Sequence, residues 1–106
     1  MSAFVLFDVR EIRDQEKLSD YRGKVFATVE RFGGRYRVLG GLDSRLEGDW
    51  TPVIPVVIEF PDETQARQWY ESEVYRPLRD QRLEAADCCC ILLQGFDHKP
   101  ESPTSA

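Results

Sequence analysis

The sequence predicts an α+β domain whose elements follow the order βαββαβ. Three observations support this fold class. Four segments are rich in β-forming residues, two helical regions with amphipathic spacing separate them, and 106 residues suffice for one hydrophobic core. We expect a single domain over residues 1–96, followed by a disordered tail over residues 97–106 that is rich in proline and serine.

The first half of the chain contains two predicted strands and the first helix. The first strand is predicted over residues 4–9, a continuous apolar run. Asp14 is the expected N-cap of a helix whose apolar positions recur every three or four residues, at Leu18, Tyr21, Val25, Val29 and Phe32. Gly33 and Gly34 end this helix, since glycine readily adopts the left-handed conformation of a C-cap. Alternation over residues 35–39 predicts the second strand, which Gly40 and Gly41 either bend or allow to continue to Leu46.

The second half contains two strands and a broken helical region. The third strand is predicted over residues 53–60, with Pro52 and Pro55 restricting its pairing at the start. Asp62 is the expected N-cap of the second helix, which breaks near Ser72 and resumes over about residues 74–86 with Pro77 in its first turn. The fourth strand is predicted over residues 88–93. This order is that of the ferredoxin-like fold, in which an antiparallel sheet carries both helices on one face.

Alternation along the strands separates the two faces of this sheet. The wholly apolar sets should lie under the helices: Val5, Phe7, Val9, Tyr36, Val38, Val56, Ile58 and Phe60. A mixed set should line the opposite face: Phe4, Leu6, Asp8, Arg35, Arg37, Leu39, Val57 and Glu59. Because half of the second set is apolar, we expect another copy of the chain to cover it. The sequence therefore predicts a homodimer whose subunits pack sheet to sheet.

Charge and residue counts exclude several function classes. The formal net charge of -5 argues against binding to nucleic acid or to an acidic membrane surface. The one histidine, His98, lies near the predicted tail, so we expect no metal site, no axial haem ligand and no cofactor. The consecutive cysteines 88–90 are interpreted as small apolar residues of the fourth strand. No signal peptide or membrane-spanning segment is predicted, which favours a cytoplasmic protein.

An ordered set of short motifs runs through the middle of the chain. These are Gly33-Gly34-Arg35-Tyr36, Gly40-Gly41, Leu46-Glu47-Gly48-Asp49-Trp50-Thr51-Pro52, Val57-Ile58-Glu59-Phe60-Pro61 and Trp69-Tyr70-Glu71-Ser72. Together they resemble the domain-of-unknown-function 1330 family of the dimeric α+β barrel superfamily, over about residues 3–96. The resemblance implies a ferredoxin-like subunit that pairs into a barrel, and it implies no established reaction. Other members of that superfamily include cofactor-free monooxygenases, haem-degrading enzymes, isomerases and stress-response proteins.

The candidate ligand-binding residues are Glu59, Arg37, Asp8, Arg35, Trp50, Trp69 and Tyr70. Glu59 and Arg37 lead, because a carboxylate beside a guanidinium could bind a polar ligand or move a proton; the alternative is a cross-strand ion pair. Trp50 follows a turn. Three roles stay open for its side chain: covering the partner subunit, covering the hairpin or covering a ligand. For Tyr75 and Arg82, the alternatives are an ordinary structural position and a contribution to the mouth of the cleft.

Two classes of function remain open at this stage. The first is the binding of a small polar or aromatic metabolite, either in the cleft between sheet and helices or in the space between the two sheets of the dimer. The second is a structural or regulatory dimer without chemistry. A cofactor-independent monooxygenase or isomerase is a further alternative, with Glu59 or Asp8 as the base that raises a reactive substrate anion. Fold class alone does not choose among these.

Overall fold

The computed structural model describes residues 1–42 and 44–97 of the chain. The elements in chain order are β1 (Ala3–Ile12), α1 (Gln15–Arg31), β2 (Arg35–Leu39), β3 (Pro55–Phe60), α2 (Glu63–Glu71), α3 (Arg76–Ala85) and β4 (Ala86–Gln94). The predicted order βαββαβ is confirmed, including the division of the second helical region into two helices. His98 and the rest of the predicted tail after Asp97 lie outside the described residues.

The four strands form one antiparallel sheet in the order β2-β3-β1-β4. In this arrangement β1 lies at the centre, where Phe4 pairs with Glu59 of β3 on one side and with Leu93 of β4 on the other. Side chains of directly opposed residues lie on the same face of a sheet. The register therefore places Phe4, Leu6 and Asp8 on one face together with their partners on β3 and β4.

Both predicted N-caps are present, and they fix where the helices begin. The Asp14 carboxylate accepts a hydrogen bond from the Lys17 amide at 3.1 Å, and the Asp62 carboxylate accepts one from the Gln65 amide at 2.8 Å. Each bond satisfies an amide that a helix start leaves without an intrahelical partner. At the other end of α1, Gly33 has φ of +77°, a conformation that favours glycine.

β2 has the predicted bounds, whereas β1, β3 and β4 differ from the prediction. β1 continues to Ile12 because β4 pairs with it over that length, from Ala86 onwards. β2 ends at Leu39, and β3 begins only at Pro55, because the chain leaves the sheet at Gly40, which has φ of +76°. The backbone amide of Gly40 donates to the Pro55 carbonyl, which closes the connection between the two strands.

Two face assignments in β2, those of Val38 and Leu39, were wrong. The register shifts between Tyr36 and Val38, so that Val38 pairs with Val57 and Leu39 pairs with Val56. This irregularity inserts one residue and reverses the alternation that follows it. Val38 consequently lies on the face opposite the helices, and Leu39 lies on the helix side, the reverse of the predicted placement.

The hydrophobic core lies between the sheet and the three helices. Its largest fully buried side chains are Trp69, Tyr75, Phe60, Leu18, Ile58 and Val29. The opposite face of the sheet keeps exposed apolar side chains, including Ile91 and Leu93 of β4. In the described part of the chain, none of the helices is both long and apolar enough to cross a membrane.

Candidate functional site

Glu59 and Arg37, the leading predicted pair, are in contact on the open face of the sheet. Arg37 Nε lies 2.8 Å from Glu59 Oε1, and the Ser2 hydroxyl donates to Oε2 at 2.6 Å. The Ser2 hydrogen bond and then the Arg37 contact lower the pKa of Glu59 below its ordinary value. Glu59 is therefore ionised at neutral pH, and protein donors already occupy both of its oxygens.

Asp8 is buried on the same face, where it binds backbone. Its Oδ1 accepts hydrogen bonds from the amides of Val53 and Ile54 at 2.8 and 3.0 Å, and its Oδ2 contacts Arg10 at 2.6 Å. These bonds anchor the segment that leads into β3. These contacts satisfy the buried Asp8 carboxylate, so its burial does not indicate a ligand.

The remaining predicted residues are scattered over the fold. Trp69 is fully buried in the core and donates from Nε1 to the Thr28 hydroxyl at 3.0 Å. Trp50 lies in the loop before β3 with 65% of its surface exposed. Tyr70 is half-buried beside Arg79, and Arg35 is exposed at the start of β2. The structure therefore does not gather the seven predicted residues into one site.

A partly enclosed cavity lies on the other face of the sheet, under α1. Its volume is about 380 Å³. Its buried floor is formed by Phe7, Val9, Leu18, Tyr21, Val25, Ile58 and Arg82, and its more exposed rim by Arg22, Phe26, Tyr36, Leu39, Gly40, Ile54 and Val56. α1 forms one wall and β3 the other. None of the seven predicted residues belongs to this lining.

A polar cluster of Tyr21, Tyr75 and Arg82 lies at the floor of this otherwise apolar cavity. The hydroxyls of Tyr21 and Tyr75 are 2.9 Å apart, and Arg82 Nε donates to the Tyr75 hydroxyl at 3.3 Å. The guanidinium also lies over the ring of Phe7, 4.9 Å from its centroid. Tyr21 and Arg82 contribute directly to the cavity lining, whereas Tyr75 lies behind them.

Burial controls the protonation of the groups around this floor. It raises the pKa of Tyr21 and Tyr36 well above the ordinary value and also raises that of Tyr75, so all three phenols stay protonated at neutral pH. It also raises the pKa of Cys90 to about 11, which keeps that thiol protonated. Within residues 1–42 and 44–97, no group of three or more His, Cys, Asp or Glu side chains is arranged to hold a metal ion.

Sequence reasoning left two alternatives for Arg82, an ordinary structural position and the mouth of the cleft, and the structure places it at the floor of the cavity. A signal for this position exists in the sequence. Tyr75, Leu78, Arg82 and Ala85 follow one another at steps of three, four and three, the spacing of one helix face. Three of these four residue types are ordinary for a buried stripe. The exception is an arginine, and a charged residue on such a stripe is a candidate for a function.

Comparison with protein families gives one match. Residues 2–96 match the family model of the domain of unknown function DUF1330. The chain belongs to this family. The match covers every strand and helix of the described fold, and it confirms the resemblance inferred from the motifs around Gly33, Trp50 and Trp69. Comparison with the curated proteins gives no match.

Solved structures similar to this DUF1330 chain share its fold. A protein of unknown function from Rhodopseudomonas palustris is 22% identical, with a TM-score of 0.69 over 92% of this chain and 84% of that one. A dimeric ferredoxin-like protein of unknown function from Jannaschia sp. CCS1 is 6% identical, with a TM-score of 0.66 over 90% of this chain and all of that one. SnoaB, a cofactor-independent oxygenase from Streptomyces nogalater, is 13% identical, with a TM-score of 0.55 over 94% and 96% of the two chains. At these identities the likeness establishes the ferredoxin-like fold alone.

Proposed function

We propose that this protein binds a small aromatic or polar metabolite in the cavity between α1 and the sheet. The observation that carries the proposal is the cavity itself, which reaches from an exposed rim to a buried floor. Its volume of about 380 Å³ falls in the range of roughly 300–1,000 Å³ that small-molecule sites occupy. An apolar wall with a few polar groups at one end is the usual composition of such a site.

The same proposal includes a homodimer formed through the open face of the sheet. Phe4, Leu6, Val38, Val57, Ile91 and Leu93 make this face largely apolar, and Ile91 keeps 51% of its surface exposed. Monomeric proteins seldom leave a continuous apolar surface of this kind uncovered. The similar protein from Jannaschia is described as dimeric, which supports a dimer. The cavity lies on the opposite face of the sheet and would stay open in the dimer.

Binding without chemistry is favoured over an oxygenase or isomerase by the groups around the cavity. The ionisable side chains that the structure describes in its lining are Tyr21, Arg22, Tyr36 and Arg82. Burial raises the pKa of both tyrosines and so holds them in the protonated form, and neither arginine can act as a base at neutral pH. A reaction that begins by removing a substrate proton would need a base supplied from elsewhere.

Native mass spectrometry with a library of aromatic metabolites tests this function. Val56 belongs to the cavity lining, so Val56→Trp fills the cavity, while Leu83→Trp at an exposed position of α3 outside that lining does not. We expect at least one metabolite to bind the native protein and the Leu83→Trp variant, and to lose binding to the Val56→Trp variant. Equal binding to both variants, or no binding across the library, would contradict the proposal.

A further inference from the structure

We propose that the floor of the cavity binds the carboxylate of an aromatic monocarboxylic acid, with Arg82 as the principal contact and Tyr21 as a second donor. The inference rests on the proposed binding function and specifies its ligand class. It follows from the burial of Arg82, from a count of donors and acceptors at the floor, and from the character of the cavity walls.

Arg82 is a buried cation without a counter-charge. Only 2% of its surface is exposed, and among residues 1–42 and 44–97 no carboxylate lies within salt-bridge distance of its guanidinium. Its Nη2 is buried and has no hydrogen-bond partner among those residues. A buried charge that lacks a partner is strongly destabilising, and arginine cannot become neutral to avoid this cost. Such a group indicates a partner that arrives from outside the chain.

The floor also has more donors than acceptors. Tyr21 and Tyr75 carry two phenolic protons, but only one of them can lie between the two oxygens in their 2.9 Å contact. The Tyr75 oxygen additionally accepts the bond from Arg82 Nε. One phenolic proton and the protons of Arg82 Nη2 therefore lack an acceptor among the described residues. An ionised carboxylate only accepts hydrogen bonds, so it supplies the acceptors that this cluster lacks.

The charge and the walls narrow the ligand class further. The single buried positive charge of Arg82 balances one negative charge, which fits a monocarboxylate better than a doubly charged phosphate. Above the floor the walls are apolar and include the rings of Phe7 and Phe26, of which Phe26 packs against Tyr36 at 4.5 Å between centroids. Aromatic walls favour a flat ring on the body of the ligand. The second cation, Arg22, is exposed at the rim.

The test compares acids with neutral amides of the same shape. The probes are cinnamate with cinnamamide and 2-naphthoate with 2-naphthamide, titrated into protein with labelled isoleucine methyl groups and followed by NMR at Ile58 on the cavity floor. We expect each acid to bind at least tenfold more tightly than its amide. Arg82→Met should remove this preference by weakening the binding of the acid more than that of the amide, whereas Arg22→Met should leave the preference in place.

Two further variants keep the test decisive if Arg82→Met does not fold. Arg82→Lys retains the charge and should retain part of the preference, and Tyr21→Phe removes one donor and should reduce it several-fold. Equal affinity for acid and amide in the native protein, or a preference that survives Arg82→Met, would overturn the carboxylate assignment while leaving the binding function standing. If neither acids nor amides shift Ile58, both the assignment and the proposed function fail.

Discussion

Residues of one type take very different roles in this small fold, and position decides which. Trp69 is fully buried between Phe60 and Tyr75 and is hydrogen-bonded to Thr28, whereas Trp50 lies mostly exposed in a loop. Residue type and alternation were sufficient to predict the contact between Arg37 and Glu59. The helical spacing of Arg82 with Tyr75 and Ala85 is a signal for its burial, but the absence of a counter-charge among the described residues follows only from how α3 packs against α1 and β4.

The two tryptophans give a direct test at this scale. We expect Trp69→Ala to lower the free energy of unfolding by about 3–5 kcal/mol, because it leaves a large cavity in the core and removes the hydrogen bond that the Thr28 hydroxyl accepts. Trp50→Ala should change it by no more than about 0.5 kcal/mol, since that side chain is exposed. Urea unfolding followed by circular dichroism measures both. Comparable losses from the two variants would contradict this packing.

At the scale of elements, features that depend on neighbouring residues were predicted correctly more often than features that depend on strand pairing. The caps at Asp14 and Asp62, the end of α1 at Gly33 and the place of Pro77 each depend on a few neighbouring residues, and all four are confirmed. The irregularity in β2 depends instead on how β3 pairs with it, which the local alternation does not encode. This irregularity places Leu39 at the cavity rim and Val38 on the open face. The cavity lining could therefore not be derived from the sequence pattern alone.

The junction between α1 and β2 gives a prediction at this scale. A Cβ at Gly34 would lie 2.6 Å from Val29 Cγ1 and 2.7 Å from Phe60 Cε1, both in the core. We expect Gly34→Ala to destabilise the protein by about 1–3 kcal/mol through overpacking.

Gly23 provides the matched control for this substitution. It lies in the exposed part of α1, and no atom lies within 4 Å of the position that a Cβ would take there. Gly23→Ala should therefore stabilise the protein by about 0.5–1 kcal/mol. Thermal unfolding of the two variants measures both effects. A Gly34→Ala variant as stable as the native protein would mean that α1 does not approach β3 as described.

At the scale of the whole molecule, the two faces of the sheet differ in what covers them. Helices cover one face and enclose the cavity, while the other face stays open and carries apolar side chains beside the charged groups of Arg37 and Glu59. The short chain is the physical reason, since three short helices cover only one side of a four-stranded sheet. Composition and length were sufficient to predict this division. They contain no information on which side holds the cavity, because that depends on the separation of α1 from β3.

The proposed dimer can be tested with two aliphatic positions of matched exposure. Ile91 on the open face is 51% exposed, and Leu83 on α3 is 48% exposed. We expect Ile91→Lys to convert the dimer into a folded monomer, because it places a charge on the apolar part of the face that the dimer would bury. Leu83→Lys should leave the dimer intact. Analytical ultracentrifugation measures the outcome, and a native protein that sediments as a monomer at micromolar concentration would contradict the dimer.

The central claim is that a small molecule occupies the cavity under α1, and methyl NMR during a ligand titration tests it most directly. The reporters are Ile54 and Ile58 at the cavity and Ile91 on the open sheet face. We predict that an aromatic acid shifts the Ile54 and Ile58 signals in a saturable manner and leaves Ile91 unmoved. Saturable shifts at Ile91 alone, or no saturable shift at any of the three, would contradict the account.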